Sequence, residues 1–561
     1  MKSSIQFLFL AATVLIYPAC EQPGAHYDIL INHAMIYDGT GAPGYAGSIG
    51  ISADTIAAVG DLKNATGTET IDAGGMAVSP GFVNMLSWAT ESLIEDPRGM
   101  SDLLQGVTLE VMGEGWSMGP LSEPMKEQML KEQGDIKFDV TWNTLGGYLQ
   151  YLEDRGISPN VASFVGATTL RIHEIGFEDR PPTAEELERM KHMVQEAMEE
   201  GALGVGSSLI YAPAFYAKTD ELIELCKASS PYGGRYITHM RSEGNKFVEA
   251  VDEVLQIAKE ANVGAEIYHL KAGGRNNWPK MDVVIAKIDS ARKAGIDVAA
   301  NMYNYVAGAT GLDAAMPPWV QEGGYEAWAK RLQDPAIRKK VIAEMKTDAQ
   351  EWENLYYATG DPNKVLLVGF KNDSLKKYTG KSVAELATIR HTSPEEVICD
   401  LVVQDGSRVG TVYFLMSEEN IKKQLQLPYI TFGSDAEAPA TEGVFLKSST
   451  HPRAYGNFAR LLGKYVRDEQ VIPLEDAIHK LTFMATERLK IAKRGKLAPG
   501  YFADIVVFDP ATIADHATFE EPHQYSTGVI DVWVNGKQVV ANGEHTGETP
   551  GRFVKGPGYR K

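Results

Sequence analysis

Eight short apolar runs of strand character, near 77–85, 108–114, 161–166, 202–209, 235–241, 264–270, 296–303 and 429–435, alternate with stretches of helical period through the middle of the chain. Strands joined through helices need crossover connections, and crossovers make the neighbouring strands parallel. Eight such units predict an α/β fold, a (β/α)8 TIM-like barrel wrapped in helices. One unit shows both of its boundaries. Pro182-Thr183 with Glu186 at capping-box spacing opens a helix, Leu187, Met190, Val194 and Met198 form its apolar stripe, and Gly201 stops it before the strand ALGVGSSL. The spacing breaks once, between Tyr305 and Tyr429, where the chain is too long for one helix and holds PPWVQEGGYEAWAKRL and a further strand-like KVLLVGF. An insertion is expected there, at about 308–364, over the barrel's catalytic face, as a lid.

The two ends read differently from the middle. YDILINHAMIYDG and GSIGISADTIAAVG near the start, and YFADIVVFD and VIDVWVNGKQVVANGE near the end, are short alternating strands, with Asn535-Gly536 marking a tight hairpin. They predict a small β-sandwich built from both terminal regions, 21–78 with 491–561, around a barrel spanning 79–490. Ahead of it, Lys2 and the apolar run IQFLFLAATVLIYPA lead to Cys20, a run too short to span a membrane comfortably. Residues 1–20 therefore read as a secretory signal, and Ala19-Cys20 resembles the lipobox of bacterial lipoproteins. The expected location is the periplasm or envelope, with the chain anchored at Cys20. Tyr17 departs from the aliphatic residue usual in a lipobox, which keeps simple secretion as the alternative. Cys226 and Cys399, in ELIELCKAS and EEVICDLVV, are two lone thiols expected in the core, and they form no disulfide framework.

With 74 acidic against 54 basic residues the formal charge is -20, and no basic run stands out, which argues against nucleic acid and for a small-molecule partner. In a parallel barrel the reactive groups sit at the C-terminal ends of the strands, because only those loops share one mouth. At those ends stand Glu114 in EVMGEGWSMGP, His239 in YITHMRSEG, His269 in EIYHLKAGG and Asp435 in ITFGSDAEAP. Two imidazoles and a carboxylate suit Zn2+, and three protein ligands leave a position open for water. His33, His192, His479, His516, His523 and His545 fall in helices, hairpins or the terminal strands and are expected to be surface or packing residues. Each strand-end residue also has a plainer reading: Glu114 as a salt-bridging group in its glycine-rich loop, Asp435 as a turn aspartate after Gly-Ser.

Across nearly its whole mature length the sequence resembles the D-aminoacylase, or N-acyl-D-amino-acid deacylase, branch of the amidohydrolase superfamily. The matching segments are DGTGAP, IDAGGMAVSPGF, GALGVGSSLIYAP, THMRSEG, YHLKAGG, Tyr303-x-Tyr305, GSD, HPRAYGNFARLLG and RGKLAPGYFADIVVFDP, in that order. The resemblance implies a metal-bearing barrel joined to a small sandwich, and hydrolysis of the amide of N-acyl-D-amino acids. It also implies a tightly held zinc on His239, His269 and Glu114, the last standing where the family usually has a cysteine. A carboxylate there makes Mn2+ or Fe2+ more plausible than a thiolate would. The His-x-His pair that serves the family's weaker metal position falls on Leu86 and Trp88 in PGFVNMLSWATES, which removes that position. These two residues are expected to fill the space with apolar bulk.

A metal held in this way would polarise both water and the scissile carbonyl, with Asp435 as general base and then acid. A cation is needed for the substrate's carboxylate, and Arg241, Lys271 and Arg453 lie on the relevant loops. The resemblance puts Lys271 and Tyr303 on the substrate side and sets Ala309 where the family has a serine; His451 and Arg453 are further pocket candidates. Other substrates using the same machinery, D-dipeptides or cyclic imides and ureides, stay open. So does an inactive, envelope-bound binding protein, whose motive is the lost His-x-His pair.

Overall fold

The structure is a computed structural model and describes residues 24–560. The signal and its Cys20 lie outside the described residues.

Eight parallel strands close the barrel: β1 (Phe82–Asn84), β2 (Val107–Met112), β3 (Asn160–Ser163, continued by Val165–Gly166), β4 (Gly204–Ser208), β5 (Arg235–His239), β6 (Ala265–Ile267), β7 (Val298–Met302) and β8 (Ile430–Phe432). The ring is completed by the Met85 N–H, which donates to the Phe432 carbonyl at 2.9 Å. Val83, Met85, Leu86, Val111, Phe164, Ile237 and Tyr268 fill the interior. The helix Ala184–Glu200 carries the capping box in full: the Thr183 side chain accepts from Glu186 N–H, the Glu186 carboxylate accepts from Thr183 N–H, and Gly201 ends the helix in the left-handed region. Cys226 and Cys399 are both buried and free.

The apolar run near 77–85 is two strands, not one. Ala77–Pro80 belongs to the terminal sheet, pairing parallel with His26–Ile36 and antiparallel with Ile505–Phe508, while Phe82–Asn84 opens the barrel. Gly81 makes the passage possible, because a Cβ there would lie 2.0 Å from Thr108 Oγ1. Strands from both ends of the chain form this one nine-stranded sheet. Its hairpin turns at Asn535 and Gly536, both at positive φ. Ile31, Ile36, Ile49, Ile505, Val507 and Trp533 make its core.

The insertion is larger than the expected 308–364. It builds a three-stranded antiparallel sheet from Ala307–Gly311, Val365–Gly369 and Gly410–Phe414, the last in the centre, with the helices Tyr325–Gln333, Pro335–Met345, Val383–Arg390 and Pro394–Asp405 around it. A bound at 364 cuts this sheet before its central strand. The five residues GTVYF carry no pattern that separates them from a barrel strand. The insert has its own core, with Trp328, Leu332, Val341, Leu367, Leu386 and Tyr413 packed together with Tyr303 and Tyr305 from the barrel mouth.

Candidate metal centre and active site

Four strand ends deliver the chemistry. Glu114 follows β2 by two residues between Gly113 (φ 106°) and Gly115 (φ 73°), where a Cβ at Gly113 would meet the Phe164 carbonyl oxygen at 2.3 Å and one at Gly115 the Ser208 Oγ at 2.1 Å. Only glycines let the backbone run that close and still turn the carboxylate inward. His239 ends β5. His269 and Asp435, just past β6 and β8, hold left-handed backbones at φ 32° and 50°. Neighbouring strands fix both: His269 N–H donates to Asn301 Oδ1 at 2.8 Å, and Asp435 N–H donates to the Leu86 carbonyl at 2.8 Å. Sparsely populated backbone of this kind persists where the surroundings over-determine it, which is common at functional sites.

Glu114 Oε1 lies 2.7 Å from His269 Nε2 and 3.2 Å from His239 Nδ1. One donor atom from each of these buried residues falls within 4.8 Å of the others. Burial alone would raise the Glu114 pKa, but His269 and His239 outweigh it and hold the carboxyl below its ordinary value. Two imidazoles and a carboxylate turned to one point fit a divalent transition metal with a coordination position left open.

A residue that no sequence motif assigns to the site ties this cluster to the substrate side. Glu243 Oε1 lies 2.9 Å from His269 Nδ1 and accepts from Lys271 Nζ at 2.6 Å, all three buried. Lys271 Nζ also stands 2.7 Å from His269 Nδ1. Burial lowers the pKa of the Lys271 ammonium, and the Glu243 carboxylate more than offsets it. The one sequence signal for Glu243 is a carboxylate four residues beyond a strand-end histidine, inside THMRSEG.

On the opposite side, Asp435 Oδ2 lies 2.8 Å from Arg453 Nη1. Burial pushes the Asp435 pKa up and Arg453 pulls it down, with a net rise. The Arg453 guanidinium sits 4.4 Å above the Tyr303 ring. Arg453 Nε and Tyr303 Oη are buried and without a hydrogen-bond partner among the described residues. Lys271, Tyr303 and Arg453 therefore all face the mouth.

Two other sequence candidates have their polar atoms engaged by the protein itself. Arg241 is held by Glu253 through Nε and Nη2, at 3.0 and 2.8 Å, and donates to the Phe215 and Ala217 carbonyls. Four of its five N–H donors are taken up there, which turns the guanidinium away from a bidentate grip on a substrate carboxylate. His451 donates from Nε2 to the Ala307 carbonyl at 2.9 Å and accepts at Nδ1 from Arg453 N–H at 3.0 Å, so both ring nitrogens serve the backbone. It shapes the mouth through its ring, edge-on to Tyr305 and Phe519. Leu86 is apolar filling, buried in the barrel core, but Trp88 is not: its Nε1–H donates to Glu114 Oε2 at 2.9 Å.

The insert closes over this mouth. Tyr211 stands edge-on to His239 at 5.3 Å, and Arg408 from the insert lies 4.9 Å over the Tyr211 ring, paired with Asp313 at 2.9 Å. Glu353, also from the insert, accepts from Glu243 N–H at 2.6 Å.

A parallel eight-stranded barrel with imidazole and carboxylate groups gathered at its C-terminal mouth, joined to a sheet made from both chain ends, defines a metal-dependent hydrolase barrel. The chain belongs to the amidohydrolase family, whose sequence model matches residues 69–540, and it is a hydrolase of carbon–nitrogen bonds other than peptide bonds. It is 33% identical over 536 residues to a D-aminoacylase of Alcaligenes xylosoxydans xylosoxydans, covering 94% of this chain and 97% of that one. A solved D-aminoacylase, described for the one-metal activation and second-metal attenuation of its binuclear centre, matches with a TM-score of 0.78 and 32% identity over 94% of this chain and all of the other. N-acyl-D-glutamate deacylase from Bordetella bronchiseptica, solved with zinc and a phosphonate mimic of the tetrahedral intermediate, matches with a TM-score of 0.77 and 27% identity over the same shares.

Proposed function

We propose that this protein hydrolyses N-acyl-D-amino acids to a carboxylate and a free D-amino acid, with one divalent metal, Zn2+ before Mn2+ or Fe2+, held by Glu114, His239 and His269. The observation that carries the reading is the convergence of these three side chains with Asp435 on one mouth, in a chain one third identical to a D-aminoacylase. An ion bound there would supply Lewis acidity to water and to the scissile carbonyl. Asp435 takes the proton from water and passes it to the departing amine. Its burial suits this work, since desolvation pushes its pKa up from the ordinary carboxylate value and makes it a better proton acceptor. Arg453 and Lys271 meet the substrate's carboxylate, and the Tyr303 phenol, with no partner among the described residues, is free to hydrogen-bond to substrate. What counts against an inactive binding barrel is that Glu114, His239 and His269 keep donor atoms within 4.8 Å of one another.

Metal analysis of the purified protein, beside hydrolysis of matched N-acetyl-D- and N-acetyl-L-amino acids, tests the reading. About one metal per chain with D-selective turnover supports it; no metal and no turnover after reconstitution with Zn2+, Mn2+ or Fe2+ overturns it. We further propose export as a lipoprotein anchored at Cys20, on the strength of the leader sequence. Palmitate labelling lost in Cys20→Ala supports the anchor, and labelling absent from the unaltered chain removes it.

A further inference from the structure

The two oxygens of Glu114 have different partners. Oε1 meets His239 and His269, while Oε2 accepts the indole N–H of Trp88 at 2.9 Å. That indole is not loosely placed. Trp88 N–H donates to the Ala436 carbonyl at 2.9 Å, Ser87 N–H donates to the Val111 carbonyl at 2.8 Å, and Asp435 N–H returns to the Leu86 carbonyl. The loop after β1 is thus clamped between the ends of β2 and β8, and the half-buried ring it carries is aimed at the carboxylate.

We infer that Trp88 is a positioning residue for Glu114, and that its N–H makes the centre mononuclear by occupying the oxygen a second metal would need. This rests on the metal-centre reading above. A carboxylate left free at one oxygen can rotate, bind bidentately or bridge two ions; one anchored by a neutral donor presents a single oxygen in a fixed direction. An indole N–H is a donor only and cannot itself ligate a metal. Leu86, the other residue of the pair, is wholly buried and apolar. The loop after β1 therefore contributes orientation and no ligand.

The test is Co2+ binding to metal-free protein, read by chelator competition and by the visible ligand-field spectrum, for the unaltered chain and for Trp88→Phe, which keeps an aromatic ring and removes the donor. Trp116→Phe, at an exposed tryptophan, is the control. The expected result is saturation at one Co2+ per unaltered chain even in large excess. In Trp88→Phe, affinity should be weaker by roughly 10–100-fold, the usual effect of losing a partner of a metal ligand, with a shifted spectrum and a melting temperature close to that of the control. Unchanged affinity and spectrum in Trp88→Phe would overturn the inference. Should that variant fail to fold, the titration of the unaltered chain still decides, because a second tightly bound Co2+ is incompatible with an Oε2 held by the indole. No Co2+ uptake at all would sink the metal-centre reading itself, a result distinct from either of these.

Discussion

The mouth of the barrel has two unlike sides. Around β2, β5 and β6 the groups are ionisable and densely linked: Glu114, His239, His269, Glu243 and Lys271 form one buried chain of contacts between 2.6 and 3.2 Å. Around β1, β7 and β8 the groups are sparser and partly unpaired: apolar Leu86, a single indole N–H from Trp88, an Asp435–Arg453 contact, and the unpartnered Tyr303 Oη and Arg453 Nε. Buried polar groups are normally hydrogen-bonded, so a cluster linked this closely reads as machinery that holds its shape before anything binds, with His239 Nε2 the one atom of it left open among the described residues. The sparser side reads as the one completed by substrate. On the function proposed above, the difference separates holding from reacting: the first wall would keep a metal in place and offer Lys271 to the substrate's carboxylate, and the second would meet the bond that is hydrolysed.

The largest expected effect breaks the holding side. Glu114→Ala should lose the metal and, with it, turnover by more than roughly a thousandfold, the scale of forfeiting Lewis-acid help. Metal content measured beside activity checks this, and full metal content in the variant removes Glu114 from the ligand set. Asp435→Asn should do the reverse: metal kept, turnover down by roughly 10²–10⁴-fold for want of a proton carrier. Wild-type rates there would end its role as the base. If both variants lost metal equally, the division of the mouth into two sides would be wrong.

Glu243→Gln sharpens the same division at smaller amplitude. An amide still accepts from Lys271 but brings no charge, leaving a buried ammonium beside a neutral partner, with a stability loss of about 1–3 kcal/mol. Because Glu243 touches His269 and Lys271 together, metal affinity should fall and KM should rise, each by roughly 10-fold. A variant affected in KM alone would show that Glu243 serves Lys271 and not the metal.

Much of this geometry follows from spacing, and the part that does not has a common cause. Glu114, His239, His269 and Asp435 are legible because a parallel barrel sends every C-terminal strand end to one place, so position along a strand predicts position in space. Arg241 and His451 look available because a sequence displays charges and not their partners. Glu253, twelve residues beyond Arg241, and the Ala307 carbonyl, from a distant strand, engage them instead. Trp88 passes for bulk for the same reason: indole reads as apolar until its one N–H is given a direction. Glu243 and Glu353 sit in loops, where spacing carries no geometry. The insert hides its central strand because Gly410–Phe414 is too short to announce which sheet it joins.

The smallest effect concerns the seam where the insert meets the holding side. Glu353 is half-buried, and that burial, with the Glu243 carboxylate nearby, pushes its pKa from an ordinary 4.5 up to about 7. Between those two values the folded protein holds a proton that the unfolded chain has released, so stability is greatest at or below pH 4.5 as far as this group is concerned and falls as pH rises through about 7. Glu353→Gln still offers an oxygen to the Glu243 N–H but cannot ionise. It should therefore be close to neutral near pH 4.5 and more stable than the unaltered protein by roughly 1–3 kcal/mol at pH 8, since a tenfold change in proton affinity is worth about 1.4 kcal/mol and solvent screening at a half-buried group removes part of it. Thermal melts of both proteins from pH 4.5 to 8 read the difference directly. A difference that does not change with pH would mean that Glu353 ionises as freely as a surface carboxylate, and that the insert rests on the holding side without sharing its electrostatics.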